Sequence, residues 1–487
     1  MLRLTVFLLS LLVACGPAGS SSGGGNDDTV GTAPPESDAR PAATLNEGSS
    51  APDPVQRLTG AHTRVVWIQD LSDGTDIAGR RRRLLLMGYD SRNGLGERPL
   101  LEERSNYTKP LITPLGNRVV FSNVREGTVH VVNWDGTDLR KLGPGFALDT
   151  WIDPDTKTEW VYVASDPSAE PVTFGRVTRH RIDRWQTSEL VWDKLRVSGD
   201  TFQVSADGRL AGGLFPWPAA GVAELPNGEF HRLGRGCWTA LSHGGDPMLW
   251  IFDGAHRNLT MVDSDQHEER WKLSINNAPG IEGYEIYHPR WSNHPRFLAV
   301  TGPYTVGTEA NKIRGGGEQV EIHLGRFATD FSSVERWVQV SHNERADFYP
   351  DVWIDPNELP PDEGTRDATR PETRPTAKEE GRLIVEARLI ESAPIPTPES
   401  ILPYRQALLV NEYEVVKVLE GSYQGERILA AHWVIRDGGL LDSAAREEGT
   451  VRRMTLEPYD QHDELEGERL VMDSDAFDLR LYYDIDS

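Results

Sequence analysis

Four histidines near the middle of the chain are the residues whose type and grouping could support metal chemistry. They are His243, His256, His288 and His294. Neutral imidazoles that converge in a folded protein bind divalent ions such as Mn²⁺ and Zn²⁺. Their spacing is irregular, so loop or strand histidines bonded to nearby backbone are the simpler interpretation. The sequence therefore predicts no cofactor and keeps a divalent metal as the alternative.

The acidic C-terminal end offers a second, weaker metal candidate. Asp473, Asp475 and Asp478 could collect around Ca²⁺, which prefers oxygen ligands. The alternative is a solvated acidic face whose charges alternate along strands and hold no ion. The pattern favours the solvated face.

Four tryptophans occupy equivalent places in separate strand-like segments: Trp151, Trp238, Trp291 and Trp353. Large aromatic rings fill wedge-shaped gaps between neighbouring sheets, and such packing is their predicted main role. A ring that reaches the mouth of a channel could also stack on a sugar or hold a peptide.

The sequence contains no common catalytic motif in a context where it could act. Its one G-x-S-x-G match, Gly19–Gly23, lies in a serine- and glycine-rich segment and not between a strand and a helix, so it is no nucleophile elbow. There is no glycine-rich phosphate loop with a lysine, no H-E-x-x-H and no cysteine ligand set. We therefore predict no catalytic residue. Whether the chain is an enzyme stays open, with a non-catalytic role favoured.

The N-terminus indicates export. Residues 1–14 have the short apolar run of a signal peptide, too short for a bilayer span of about 20 residues. Leu12-Val13-Ala14-Cys15 resembles the lipobox of bacterial lipoproteins. The resemblance implies cleavage before Cys15 and acylation of that residue, and Gly16 in place of an aspartate implies sorting to the outer membrane. An ordinary secretory signal with a chance cysteine is the alternative.

Net charge narrows the choice of partners. The chain carries a formal charge of −24, whereas nucleic acid and anionic lipid require a basic patch. The one compact basic run, Arg80–Arg83, leads directly into Leu84–Leu86, as at the polar entry to a strand. We therefore expect no nucleic acid partner, contact with the membrane through the lipid, and a protein or polysaccharide of the cell envelope as partner.

Two segments poor in large apolar residues divide the chain. Residues 15–58 predict the lipidated cysteine followed by a flexible linker, and residues 355–381 predict a stiffer linker rich in proline and charge. The predicted folded domains are therefore residues 59–354 and 382–487.

Short strand-like runs recur through the first of these domains. The clearest unit, Pro110 to Leu142, reads as four strands joined by tight turns. One turn is Asp135-Gly136, a dipeptide that supplies the positive φ angles of a hairpin. Four antiparallel strands repeated along the chain predict a β-propeller.

This unit resembles the TolB-type propeller repeat. The matching residues are Ser205–Gly208, Trp291–His294, and Asp135-Gly136 followed by Arg140 and Leu142. TolB proteins carry an α/β domain before the propeller and no lipid, so their partners are not transferred. Similar propellers such as oligogalacturonate lyases hold a metal on channel histidines, which makes a metal-dependent polysaccharide lyase or hydrolase the alternative function.

The predicted fold is all-β, with a six-bladed propeller followed by a small OB-like β-barrel or β-sandwich. We expect Tyr349 to Asp355 to close the ring by pairing with the strand that begins at Arg64. The first segment has no following strand of its own, and the second has no preceding inner strand. A seventh blade is possible if Phe146 to Leu195 contains one. The leading functional hypothesis is a membrane-anchored envelope lipoprotein whose propeller is a non-catalytic binding or scaffold surface for a protein or glycan.

Overall fold

The computed structural model is all-β apart from short helical segments. It describes residues 53–72, 82–168, 173–244, 247–263, 270–281, 284–304, 320–359, 381–401, 404–465, 467–472 and 479–487.

The first domain is a ring of six antiparallel blades. From the channel outward, blade 1 consists of β25 (Ala346–Ile354), β1 (Thr63–Asp70), β2 (Leu84–Asp90) and β3 (Arg98–Pro99). Blade 2 consists of β4 (Tyr107–Ile112), β5 (Arg118–Asn123), β6 (Thr128–Asn133) and β7 (Arg140–Pro144). Blade 3 consists of β8 (Phe146–Ile152), β9 (Glu159–Pro167), β10 (Thr173–Arg181) and β11 (Ser188–Trp192), and β12 (Val197–Ser198) also pairs with β10.

In the same order, blade 4 consists of β13 (Phe202–Val204), β14 (Leu210–Leu214), β15 (Ala219–Glu224) and β16 (Phe230–Arg235). Blade 5 consists of β17 (Trp238–Leu241), β18 (Met248–Phe252), β19 (Asn258–Asp263) and β20 (Arg270–Ser274). Blade 6 consists of β21 (Glu285–Trp291), β22 (Phe297–Tyr304), β23 (Glu321–Phe327) and β24 (Val334–Gln339). The six innermost strands contact one another in succession around the ring.

The ring closes as predicted. Strand β25, from the end of the domain, pairs antiparallel with β1, with Trp353 opposite Arg64 and Asp351 opposite Val66. Closure leaves neither end of the domain as an unpaired edge within the first blade. The segment Phe146 to Leu195 forms a single blade, so six blades are confirmed.

The second domain has seven strands: β26 (Leu383–Ser392), β27 (Ala407–Glu420), β28 (Arg427–Arg436), β29 (Gly439–Leu440), β30 (Val451–Pro458), β31 (Arg469–Met472) and β32 (Leu481–Asp484). Five of them, β26, β27, β28, β32 and β30, form a closed barrel. Strand β29 pairs with β28, and β31 pairs with β27. The sequence pattern allowed a barrel or a sandwich, and the pairing of β27 with β28 makes it a barrel.

Helix α1 (Pro54–Thr59) occupies the end of the predicted N-terminal linker. Asp53 caps it by accepting hydrogen bonds from two backbone N–H groups, and Pro54 fits the first turn. Val55 and Leu58 are buried in an apolar cluster that includes residues of blades 1 and 6. Two 3₁₀ turns, Tyr459–Gln461 and Asp463–Leu465, lie in the barrel. Among the described residues, no helix combines the length and apolar character that a membrane crossing needs.

The barrel packs directly on the propeller. Barrel residues Tyr404 and Val471 belong to the same apolar cluster as residues of blades 1, 2, 5 and 6. The Tyr404 ring meets Trp217 of blade 4 edge-on, with centroids 5.0 Å apart. Backbone also approaches closely here, since a Cβ added at Gly254 would lie 2.0 Å from the carbonyl oxygen of Glu468. The two domains therefore share a buried interface.

Candidate functional site

The antiparallel blades give the propeller two distinct faces. The barrel contacts turns between second and third strands, such as those holding Trp217 and Gly254. Turns between first and second strands lie at the other end of each blade; we call this end the distal face. At its centre a cavity of about 290 Å³ opens, and Pro114, Ala206 and His243 from such turns line it. All six blades contribute lining residues, so this cavity is the mouth of the channel.

An arginine crosses the channel below this mouth. Arg290 of blade 6 donates through Nε to Asp351 of blade 1 at 2.5 Å and through Nη2 to Asp149 of blade 3 at 2.8 Å. Each carboxylate also accepts a backbone N–H from the next blade. Asp351 binds the N–H of Ile112 at 2.7 Å, and Asp149 binds that of Val204 at 2.8 Å. This Arg290 bridge thus links five of the six blades through one guanidinium group.

Electrostatics favour the charged form of the bridging arginine. Burial would lower the pKa of Arg290, but the carboxylates of Asp351 and Asp149 outweigh it and raise the pKa above its ordinary value. For Asp351, burial dominates and raises the pKa, with Arg290 acting in the opposite sense. Because charge-assisted bonds in a buried site are strong, the bridge fixes the blades relative to one another.

Lys109 is a second buried basic residue along the channel. Its Nζ donates to the carbonyl of Gly199 at 2.8 Å. Burial, and then the positive charge of Arg290, lower its pKa to about 7. A lysine with this pKa exchanges protons near neutral pH. The adjoining cavity holds only about 20 Å³, so this part of the channel has room for little more than water.

The predicted histidines occupy different parts of the domain. His243 lines the channel mouth, with Nε2 4.0 Å from Asp149, and burial lowers its pKa. His288 lies deeper in the channel, where its ring is 4.1 Å from Tyr349. His256 is buried 2.9 Å from Glu285, beneath the barrel. His294 lies in a turn and accepts from the N–H of Arg296.

These positions do not bring the four imidazoles to a common point. Across the described ranges, no three histidine, cysteine, aspartate or glutamate side chains are grouped so that they could hold a metal ion. Asp473, Asp475 and Asp478, the predicted Ca²⁺ candidates, lie outside the described residues, as does the predicted lipidation site Cys15.

The predicted tryptophans pack mainly against neighbouring blades. The indole of Trp151 donates to Ala206 of blade 4, and that of Trp353 donates to Pro114 of blade 2, both at 2.9 Å. Both rings line the mouth but are only 6% and 7% exposed. Trp238 meets His288 edge-on, and Trp291 is buried. Their contacts therefore fit packing better than an open stacking platform.

None of the residues of the Arg290 bridge is among the predicted site residues. A signal for two of them exists, because the pattern D-x-W-I-D occurs twice, at Asp149–Asp153 and at Asp351–Asp355. Each copy starts with a bridging aspartate and contains a mouth tryptophan two residues later. Arg290 itself follows His288-Pro289, where a positive φ at His288 and a register shift mark a bulge.

No family model and no curated protein matches the chain. Similar solved structures include a nidogen/laminin complex, with TM-score 0.39, 10% identity, and coverage of 60% of this chain and 98% of that one. Hydrazine synthase of Kuenenia stuttgartiensis has TM-score 0.33 and 12% identity over 51% of this chain and 75% of that one. A luciferin-regenerating enzyme has TM-score 0.33 and 11% identity over 52% and 87%. With TM-scores below 0.5, these similarities support no argument about this chain.

Proposed function

We propose that this chain is a membrane-anchored lipoprotein of the bacterial cell envelope, and that its propeller is a non-catalytic binding or scaffold surface for a protein or glycan. The observation that carries the proposal is the Arg290 bridge. It engages Arg290, Asp149 and Asp351 at the centre of the ring in structural bonds, and these three residues line a concave mouth to which all six blades contribute.

A surface built in this way suits recognition. The lining of the mouth comes from strands and tight turns, such as those of Trp151 and Pro114, which are held by bonds between blades. A preformed surface loses little conformational freedom when a partner binds, so more of the contact energy remains as affinity. The distal face is also the one that the barrel leaves uncovered in the described contacts.

The anchor is proposed from the N-terminal sequence. The lipobox-like Leu12–Cys15 supports acylation, and Gly16 supports placement in the outer membrane. Several acyl chains on one residue give stable anchoring, because each buried methylene contributes about 0.8 kcal/mol. A linker between Cys15 and α1 would let the propeller reach partners away from the membrane surface.

Site-specific photocrosslinking in cells tests the proposed binding face. Leu115, which is 54% exposed, adjoins Pro114 at the mouth, and Leu190, which is 44% exposed, lies on β11 at the outer side of blade 3. A photoreactive residue at 115 should give discrete adducts, and one at 190 should not. A protein adduct keeps its mass after glycosidase treatment, whereas a glycan adduct loses it. Equal crosslinking from both positions, or none from 115, would contradict the proposal.

A further inference from the structure

His256 lies at the point where the barrel meets blades 5 and 6. It belongs to the turn between β18 and β19, and its side chain is wholly buried. Its Nδ1 atom lies 2.9 Å from Oε2 of Glu285 in blade 6 and 3.2 Å from Nη1 of Arg469 in the barrel. One imidazole nitrogen thus faces a carboxylate of the propeller and a guanidinium of the barrel at the same time.

The other ring nitrogen of His256 lies in a dry position. Nε2 is buried and makes no hydrogen bond within the part of the chain that the structure describes. A neutral imidazole carries one N–H, whereas an imidazolium carries an N–H on both nitrogens. Protonation of docked His256 therefore requires a buried N–H at Nε2 that no group accepts, and such an orphan donor costs free energy.

The charged and titratable groups around His256 come from three elements. They are Asp253 and Arg257 of its own turn, Glu285 and Tyr287 of blade 6, and Arg469 of the barrel with Tyr404 beside it. Burial lowers the pKa of His256 below its ordinary value; Glu285 opposes this effect and Arg469 adds to it. Glu285 stays ionised because its pKa is about 2, and burial raises the pKa of both phenols.

Separation of the barrel from the propeller changes the surroundings of His256. Arg469 leaves with the barrel, because its bonds to Gly254 and Glu285 cross the interface. Water then reaches the imidazole, and Glu285 becomes its nearest charge. Hydration and an adjacent carboxylate both favour the imidazolium. The undocked propeller therefore takes up a proton on His256 at a higher pH than the docked protein does.

From this arrangement we propose that the interface between barrel and propeller is acid-sensitive, and that protonation of His256 loosens the docking of the barrel. Docking keeps its full stability while the histidine is neutral in both states. Below about pH 6.5 the undocked state binds a proton that the docked state resists, so docking weakens as pH falls. Glu468, paired with Arg235 at 2.8 Å, acts in the opposite sense because burial raises its pKa. The device is independent of the binding role proposed for the channel mouth.

Hydrogen exchange resolved to single amides in the full-length chain tests the proposal. The reporter is the amide of Leu470, which donates to the carbonyl of Gly254 across the interface. Its protection, corrected for the intrinsic exchange rate, should fall at least about threefold from pH 7 to pH 5. A histidine of ordinary pKa, about 6.5, that stays neutral when docked would give about thirtyfold. Amides between β27 and β28, which report on the barrel itself, should keep their protection. Constant protection of Leu470, or an equal loss in the barrel amides, would overturn the proposal.

Two matched variants assign the response to a residue. His256→Asn suits the positive φ of 57° at this position and retains a polar side chain that does not titrate, so the pH response of Leu470 should disappear. His130→Asn is the control, because the printed side-chain partners of His130 all lie in or beside blade 2, and it should respond as the parent does. A parent-like response in His256→Asn would overturn the proposal.

The pH profile of the parent decides the question if thermal melts show that His256→Asn does not fold. Titration of a histidine makes the loss of Leu470 protection begin near pH 6.5. A loss that begins only below about pH 4.5 would belong to carboxylates and would overturn the assignment to His256.

Discussion

Arg469 of the barrel donates to Glu285 of the propeller at 2.9 Å, and both side chains are buried. Arg469 also donates to the carbonyl of Gly254 at 2.8 Å. Burial would raise the pKa of Glu285, but Arg469 and then His256 outweigh it and lower the pKa to about 2. A charged pair buried between two domains couples their stability, because separating the domains would break it.

Removing one partner of this pair should therefore be costly. Arg469→Met leaves Glu285 buried without its guanidinium, and we expect the free energy of unfolding to fall by about 3–5 kcal/mol. The exposed pair Arg388–Glu414 of the barrel is the control, and Arg388→Met should cost under about 1 kcal/mol. Urea unfolding measures both. A double variant, Arg469→Met with Glu285→Gln, should recover part of the loss, and equal losses in the two single variants would contradict this account.

The same interface determines how the protein should behave after proteolysis. Cleavage should fall within residues 355–381, where proline and charge predict an accessible backbone. The C-terminal fragment should then stay bound to the propeller, because Tyr404 and Arg469 are buried against it. Size-exclusion chromatography of the cut protein should show both fragments in one peak. Separate elution in buffer without denaturant would mean that the interface is weaker than its contacts indicate.

The blades could be predicted from the sequence because each carries its own local signals. A strand pattern, a tight turn such as Asp135-Gly136 and a further strand are encoded within a few dozen residues. Ring closure could also be predicted. The segment around Trp353 has no following strand of its own and the segment at Arg64 has no preceding strand, and the two segments pair with each other.

The Arg290 bridge and the docked barrel were not predictable from such signals. Arg290 meets Asp149 across a separation of 141 positions, and Arg469 meets Glu285 across 184. No local signal in the sequence marks Arg290 or Arg469 as the partner of these carboxylates. The direction of the His288 side chain also could not be predicted from the sequence. The bulge at His288 changes that direction relative to regular strand alternation.

A buried carboxyl pair should make stability depend on pH. Burial, and then the neighbouring Glu321, raise the pKa of Asp347 well above its ordinary value. The folded protein therefore holds a proton that the unfolded chain releases, and the free energy of unfolding falls as pH rises from the ordinary carboxyl pKa toward the raised one. Asp347→Asn should reduce that fall when unfolding is compared at about pH 5 and about pH 8. Exposed Asp155→Asn is the control, and equal slopes in both variants would refute the assignment.

Lipidation can be tested independently of the folded domains. The chain has two cysteines, Cys15 and Cys237. Labelled fatty acid should be incorporated into the parent and into Cys237→Ser but not into Cys15→Ser, which should leave the membrane fraction. Because a thioether at Cys15 and a disulfide between the two cysteines exclude one another, mass spectrometry provides a second readout. A disulfide-linked peptide, or label retained in Cys15→Ser, would contradict the proposed anchor.

The contact between Gly116 and Trp353 provides a test of ring closure. Gly116 has φ +74°, and a Cβ there would lie 2.5 Å from the Trp353 ring of the closing strand. Gly116→Ala should cost about 1–2 kcal/mol for the left-handed backbone and about 1–3 kcal/mol more for displacing the ring. Gly127→Ala, at φ +61° with nothing within 4 Å, should cost only the backbone part. Combining each change with Trp353→Ala completes the comparison by urea unfolding. The extra cost of Gly116→Ala should vanish once the Trp353 indole is removed. An extra cost that persists in the Trp353→Ala background would show that the cost does not arise from contact with the closing strand.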